Sequence, residues 1–254
     1  MSKIVITGSA SGIGREVAKK LSDSGHEIIS IDLRDADIIA DLSTSEGRQK
    51  AIADTLEKTG SGIDILITAA GMGGHLADGK LVMIVNYFGT VELLDGFFPA
   101  MKGRPGAAAL ALSSNSAQMG VDPENELVKA LLAHDEQAAI DVVGDMPSAA
   151  TYGLSKHAVA RAVRRRAHDW GTAGVRLNAI APGMTETPML QGVRDNPDLK
   201  GALENIPVPL DRTANVDEIA NIIVMMVSEA FSFMHGSVLY VDGGTDAVVR
   251  PDQF

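Results

Sequence analysis

The sequence predicts an α/β fold: one doubly wound domain spanning residues 1–254, with a parallel sheet of about seven strands. Three observations predict it. Short, β-branched apolar runs alternate along the whole chain with longer stretches of helical period. The runs are apolar at nearly every position, as strands covered on both faces are, instead of alternating apolar and polar. No repeat, low-complexity segment or linker divides the 254 residues.

Taken in order, KIVIT (3–7) is the first strand, and GREVAKKLSDSG (14–25) a helix that stops at Gly25. EIISID (27–32) is the second strand and DIIADLS (37–43) a short third one. SEGRQKAIADTLEKTG (45–60) is an amphipathic helix with a glycine stop, and IDILITAAG (63–71) a buried strand ending in small residues. Residues 81–101 are mostly helical, and AAALALSS (107–114) is another buried strand. YGLSKHAVARAVRRRAHDWG (152–171) is a long helix, and VRLNAIAPG (175–183) a strand leading into a Pro-Gly turn. NVDEIANIIVMMVSE (215–229) closes the helices and SVLYVDGG (237–244) the strands.

Composition narrows the function. Hydrophobic residues make up 45% of the chain, enough for a large core, and 26 glycines imply many close backbone approaches. With no cysteine, disulfides and thiolate chemistry are excluded. A net charge of −11 repels nucleic acid and anionic membranes, so neither is an expected partner. The apolar run in MSKIVITGS is too short for a signal peptide, and IANIIVMMV is too short to span a bilayer, which predicts a cytoplasmic protein. The six histidines show no metal-ligand spacing, so no metal is expected. RAVRRRAHDW (161–170) is basic, but on a helix of so acidic a chain it reads as a solvated or salt-bridged face.

The first strand runs directly into TGSASGIG (7–14) and then a helix. Gly8, Ser11, Gly12, Ile13 and Gly14 would bring backbone close to a pyrophosphate at a helix N-terminus, the arrangement of a Rossmann-type dinucleotide site. Asp32 ends the second strand, where a carboxylate accepts hydrogen bonds from an adenosine ribose diol and repels a 2′-phosphate. This predicts NAD(H) as cofactor, although the neighbouring Arg34 could serve a phosphate. Asp41 and Leu42 would flank the adenine, and Ala70 and Gly71 would let the backbone pass the ribose.

Tyr152 precedes Lys156 by one helical turn, so the two side chains share a face. A cation beside a phenol favours the phenolate, which would draw the tyrosine pKa from roughly 10 toward neutrality and make it a general base.

These residues together resemble a known family. T-G-x-x-x-G-I-G, A-A-G at 69–71, Asn86, Ser114, Tyr152-x-x-x-Lys156 and P-G-x-x-x-T at 182–187 stand in the order of the short-chain dehydrogenases/reductases, over the whole chain. The usual N-N-A-G is T-A-A-G here, which removes side-chain contacts but leaves the backbone. The resemblance implies that Ser114, in preference to its neighbour Ser113, binds the substrate oxygen. It implies that Tyr152 takes the hydroxyl proton as hydride leaves for the nicotinamide. Lys156 would hold the nicotinamide ribose, and Asn86 would steady a water that relays the proton. Thr185, through its backbone, and Thr187, through its hydroxyl, would meet the carboxamide. The apolar run Met184, Pro188, Met189, Leu190 and Val193 would either cover a flat apolar substrate or pack on the next helix.

IDLRDADIIADLSTSEGR, NYFGTVELLDGFFPA, APGMTETPML and the terminal RPDQF resemble the bacterial 3α-hydroxysteroid dehydrogenase/carbonyl reductase branch of that family. This implies an NAD(H)-linked enzyme acting on steroid alcohols and ketones. A reductase for other ketones and aldehydes is the nearest alternative. A non-catalytic dinucleotide-binding regulator is the reading from another class, and it would not need a tuned phenol.

Between Ser114 and Tyr152 the chain is far longer than is usual in the family. Residues 117–148 therefore form a helical insertion, with Asp122 capping a helix begun by Pro123 and a stripe of Leu127, Ala130, Leu131 and His134. EQAAIDVVGD would be a second helix stopping at Gly144. The expected hairpin stands at the rim of the sheet near the active-site entrance, leaving a homodimer interface at about residues 215–245.

Overall fold

The first strand, β1 (Lys3–Thr7), sorts the two faces of the sheet: Ile4 and Ile6 turn to one side and Val5 to the other, all fully buried. In the computed structural model, every residue is described except Ser61, Gly120, Pro123 and Phe254, and every side chain among those except Ala202. The chain continues through α1 (Gly12–Asp23), β2 (Glu27–Asp32), β3 (Ile38–Ile39), α2 (Ser45–Thr59), β4 (Ile65–Thr68), α3 (Gly79–Met83), α4 (Gly89–Met101) and β5 (Ala108–Leu112). It then forms α5 (Glu126–Leu132), α6 (Glu136–Val143), α7 (Ser148–Thr172), β6 (Arg176–Pro182), α8 (Pro188–Asp195), α9 (Pro197–Glu204), α10 (Val216–Val227), β7 (Val238–Val241) and α11 (Thr245–Val249).

Among the described residues, seven strands lie in the order β3-β2-β1-β4-β5-β6-β7, and every pairing is parallel. Val5 registers with Ile29 on one side and Leu66 on the other, so strand order reverses at β1. That reversal opens a crevice beyond the carboxyl ends of β1 and β4. On one face, Val5, Ile29 and Leu66 meet Ala51 of α2, Val91 and Phe97 of α4, and Ala158 and Ala162 of α7. On the other, Ile4, Ile6 and Ile180 meet Val17 of α1 and Ile219 and Ile223 of α10. Each buried Val, Leu, Ile or Phe side chain among these contributes about 2 kcal/mol, so these two layers hold the frame on which the site is built.

The helical run 79–101 has the length and composition of a bilayer span. Here Val82, Met83, Phe88, Val91, Leu94 and Phe97 pack fully buried inside the protein, which makes it a core helix. Between α3 and α4 its hydrogen bonding widens to a π-helical turn, Ile84–Phe88.

The insertion is the expected pair of helices with three differences. Asn125, not Asp122, caps α5, its side chain accepting from Leu127 N. The Asp122 carboxylate accepts from Glu124 N, outside the helix, and Pro123 lies outside the described residues. His134 is not part of the stripe: it takes φ +60° in the turn after α5, and the buried positions are Leu127, Val128 and Leu131. The hairpin is also not at the cavity mouth. It packs against α7 and α3, and buried Arg48 of α2 ties it down by ion pairs to Glu136 of α6 and Glu92 of α4. Nonlocal packing decides this: Leu127, Val128 and Leu131 of α5 and Ala139 and Val143 of α6 join the core cluster that contains α7. The third strand is shorter than its apolar run, and α7 begins four residues before Tyr152, after Pro147.

Candidate active site

A cavity of about 600 Å³ lies beyond the carboxyl ends of the central strands. Its cofactor-facing wall depends on missing side chains. Gly8 has φ +71°, and a Cβ there would come within 2.6 Å of Ala70 N, so glycine alone allows the turn after β1 to lie against the end of β4. A Cβ on Gly14 would fall 2.2 Å from Gly8 O. α1 starts at Gly12 with no capping bond from the Ser11 side chain and no acidic residue in its first turn. The protein thus leaves the positive end of that helix uncompensated beside the cavity, as an anionic pyrophosphate requires.

Asp32 ends β2 with its carboxylate turned to the glycine turn, Oδ2 accepting from Ala10 N at 2.9 Å and Oδ1 from Leu33 N at 2.7 Å. Asp32, Leu33, Asp41 and Leu42 line the cavity; Arg34 does not. With Arg34 outside the lining, the negative charge at the end of β2 suits a ribose diol and disfavours a further phosphate. The residues present therefore fit a dinucleotide of the NAD type.

The polar floor comes from the end of β5 and from α7. Ser113 and Ser114 are adjacent but divide their work. Ser113 Oγ donates to Lys156 O at 2.9 Å, stitching the strand to the helix, whereas Ser114 faces the phenol of Tyr152. Ser114, which the family resemblance favours, is thus the serine beside the phenol. Lys156 is buried, its Nζ donating to Leu112 O at 2.9 Å. A Cβ at Gly71 would lie 3.4 Å from that Nζ and 3.0 Å from Asn86 Oδ1, so Gly71 keeps open the space between the two side chains.

The electrostatics correct one expectation. Lys156 Nζ lies 6.0 Å from the centroid of the Tyr152 ring, turned to the Leu112 carbonyl, and it does not draw the phenol toward neutrality. Burial pushes the Tyr152 phenol above its ordinary range, and the hydrogen bond with Ser114 pulls the other way. Burial also lowers the Lys156 amine to about 8. One-turn spacing put the two groups on one face, but desolvation, which depends on the surrounding layers, outweighs the attraction.

Asn86, in the π-helical turn, is fully buried and grips one peptide: Oδ1 accepts from Met72 N at 2.8 Å and Nδ2 donates to Met72 O at 3.0 Å. Thr185 is buried, its hydroxyl donating to Gly183 O. Thr187 caps α8, accepting from Leu190 N at 3.2 Å and donating to Thr185 O at 3.2 Å, with Pro188 in the first turn. One lone pair of its hydroxyl remains for a ligand donor. Met184, Pro188, Met189, Leu190 and Val193 all line the cavity.

Sequence reasoning missed the rest of the cover. Leu199, Leu203 and Ile206, from α9 and the segment after it, also line the cavity. The four-residue spacing of Leu199 and Leu203 was the available signal. His75 was missed as well: its ring fits where Gly73 and Gly192 lack side chains, between the loop after β4 and α8. Among the described residues, no group of three or more His, Cys, Asp or Glu could hold a metal ion.

Comparison with known proteins agrees with this geometry. Residues 2–124 match the family model described as short chain dehydrogenase, and residues 137–246 the one described as Enoyl-(Acyl carrier protein) reductase. The chain is 46% identical over 258 aligned residues, covering all of both proteins, to the 3-alpha-hydroxysteroid dehydrogenase/carbonyl reductase of Comamonas testosteroni. This chain belongs to the short-chain dehydrogenase/reductase family. The crystal structure of 3-alpha-hydroxysteroid dehydrogenase from Pseudomonas sp. B-0831, complexed with NADH, superposes with a TM-score of 0.97 at 42% identity over the whole of both chains. Galactitol 2-dehydrogenase (L-tagatose-forming) of Cereibacter sphaeroides is 29% identical, over 94% of this chain and 92% of its own. The two family models leave residues 125–136 between them, which is where α5 and the turn after it lie.

Proposed function

We propose that the chain is an NAD(H)-dependent oxidoreductase that interconverts 3α-hydroxysteroids and 3-oxosteroids and also reduces other carbonyls. The observation that carries this reading is the meeting of Ser114, Tyr152 and Lys156 at the floor of one cavity, between a glycine cradle and an apolar cover. The similarity to steroid dehydrogenases over the full chain supports the substrate class.

Gly8, Ser11, Gly12, Ile13 and Gly14 hold the pyrophosphate, Asp32 the adenosine ribose, and Asp41 and Leu42 the adenine. Ala70 and Gly71 leave room for the second ribose, which Lys156 binds. Thr185 and Thr187 take the carboxamide. The nicotinamide, when bound, accepts or supplies the hydride. Tyr152 Oη removes the proton of the alcohol in oxidation and returns one to the oxygen in reduction, while Ser114 donates to that same oxygen. Asn86 steadies the water through which the proton leaves. Met184, Pro188, Met189 and Leu190 exclude solvent from the reacting face. A regulator that only bound the nucleotide would need none of the Ser114–Tyr152 pair.

Initial rates with NAD and NADP on a panel of 3α- and 3β-hydroxysteroids test this reading. Turnover of the 3α alcohols with NAD, and a preference for NAD that relaxes about tenfold or more in Asp32→Ala, are expected, since that change removes the repulsive charge. Turnover confined to non-steroid carbonyls would refute the substrate class.

The reading extends to assembly and place. The protein is a cytoplasmic homodimer joined through residues at about 215–245, and the α5–α6 hairpin blocks a second interface over α7. Packing of the hairpin on α7 supports the block. Sedimentation of a stable tetramer would refute the dimer, a dimeric deletion of residues 122–146 would refute the block, and cell fractionation decides the compartment.

A further inference from the structure

Ser116 carries no motif signal, yet it controls the hydrogen bonding of Ser114. A serine hydroxyl has one proton and two acceptor lone pairs. Ser114 Oγ accepts from Ser116 N–H at 3.2 Å and from Ser116 Oγ at 2.9 Å. Both acceptor positions are then filled by one residue. The proton of Ser114 is the only hydrogen-bonding valence left on that oxygen, and it faces the cavity where the Tyr152 phenol lies.

Ser116 is itself held in place. Ser114 caps the 3₁₀ turn Asn115–Gln118, so Ser116 sits in its first positions. The turn is bonded to α7 at one point and lies close against it at another, on either side of Lys156. The buried His157 ring donates through Nδ1 to Ala117 O at 2.8 Å, and a Cβ on Gly153 would fall 3.3 Å from Ser116 O. The residue that orients Ser114 is therefore built onto the helix that carries Tyr152.

We propose that Ser116 is a positioning residue: by filling both lone pairs of Ser114, it commits that hydroxyl to donate toward the reacting oxygen and the Tyr152 phenol. This rests on the oxidoreductase reading of the site. Without the Ser116 hydroxyl, one lone pair of Ser114 is free and its rotor is no longer fixed, so the donor is aimed only part of the time. The oxyanion loses stabilisation, and a Tyr152 phenolate loses a donor that favours it.

Ser116→Ala, which keeps the backbone N–H, is the test. Its kcat is expected to fall about tenfold, a fraction of what removing an oxyanion donor outright costs, with little change in KM for NAD or steroid. The alkaline limb of the kcat profile for alcohol oxidation moves to higher pH, and Ser116→Thr, which restores a hydroxyl, recovers most of both effects. A residue that only supported the fold would change thermal stability and leave that limb in place. With three tyrosines in the chain, ¹³C-labelled tyrosine NMR follows Tyr152 without turnover, the signal being assigned by its loss in Tyr152→Phe. Its titration in Ser116→Ala should start at higher pH than in the wild type. An unchanged kcat profile or an unchanged Tyr152 titration overturns the proposal. A wild-type protein inactive on every alcohol and ketone refutes the reading of the site instead, and the titration still decides the role of Ser116.

Discussion

Two pairs of short helices decorate the same sheet and are held in opposite ways. The α5–α6 hairpin buries Leu127, Val128, Leu131, Ala139 and Val143 almost completely, and the buried guanidinium of Arg48 clamps it to α2 and α4. Among the described side chains of the α8–α9 pair, only Leu190 is buried, and Pro188, Met189, Val193, Leu199 and Leu203 line the cavity beside it. Its charged anchor, Arg194 to Glu186, is solvent-exposed. Helices of similar length thus serve as fixed mass in one place and as a light cover in the other. The apolar side chains of the first meet protein, and those of the second meet a space meant for ligand. Exposed ion pairs add little, whereas removing one partner of a buried pair is costly, so the difference in anchoring is energetic as well as geometric.

The comparison can be broken in several ways. The largest effect is expected beneath the cover: Tyr152→Phe should lower kcat about 10³-fold while NAD binding and thermal stability stay near wild type. Calorimetric titration with NAD alongside steady-state rates checks this. Retained turnover would remove Tyr152 from the chemistry. On the hairpin side, Leu131→Ala should cost about 3 kcal/mol of stability, read by urea unfolding, with kcat of the folded protein unchanged. A kcat defect there would show that the hairpin reaches the site after all.

A pH experiment sharpens the same contrast between burial for packing and burial for chemistry. Because burial raises the Tyr152 pKa, the phenol is protonated at neutral pH, ready to donate in carbonyl reduction. Alcohol oxidation should therefore climb through the alkaline range, and reduction should fall there. For Lys156, burial lowers the folded-state pKa to about 8 from an ordinary 10.5, so the unfolded chain binds that proton more tightly. The resulting penalty on stability is full below pH 8 and is gone above pH 10.5. Lys156→Met should accordingly melt higher than wild type at pH 7 in the absence of nucleotide, lose that advantage as pH approaches 10.5, and turn over poorly throughout.

The smallest effect belongs to the cover. Leu203→Ala should raise the steroid KM about fivefold, the cost of one partly lost apolar contact, and shift Tm little. A large drop in Tm would place α9 with the hairpin, as fixed structure.

Much of this was legible in advance, for identifiable reasons. The strands were readable because seven parallel strands covered on both faces must be apolar nearly throughout. The glycine cradle was readable because only glycine tolerates the approach of Gly8 to Ala70, and Tyr152 and Lys156 because four-residue spacing on a helix is local geometry. Ser116 was not readable, since its role depends on which lone pairs of another hydroxyl it fills. Nor was α9, whose two leucines make too short a period to stand out in a polar stretch.

By itself the sequence determined the order of the strands, the glycine turn that ends β1 and the shared helix face of Tyr152 and Lys156, because each follows from backbone geometry and near neighbours. Only the tertiary structure decided which serine faces the phenol, which way Lys156 turns, and where the hairpin docks. Those depend on desolvation and on partners far along the chain: Leu112 O is 44 residues from Lys156, and Arg48 meets a carboxylate 88 residues away. A hydrogen bond or a buried charge takes its sign from whatever surrounds it, and that surrounding exists only once the layers have closed.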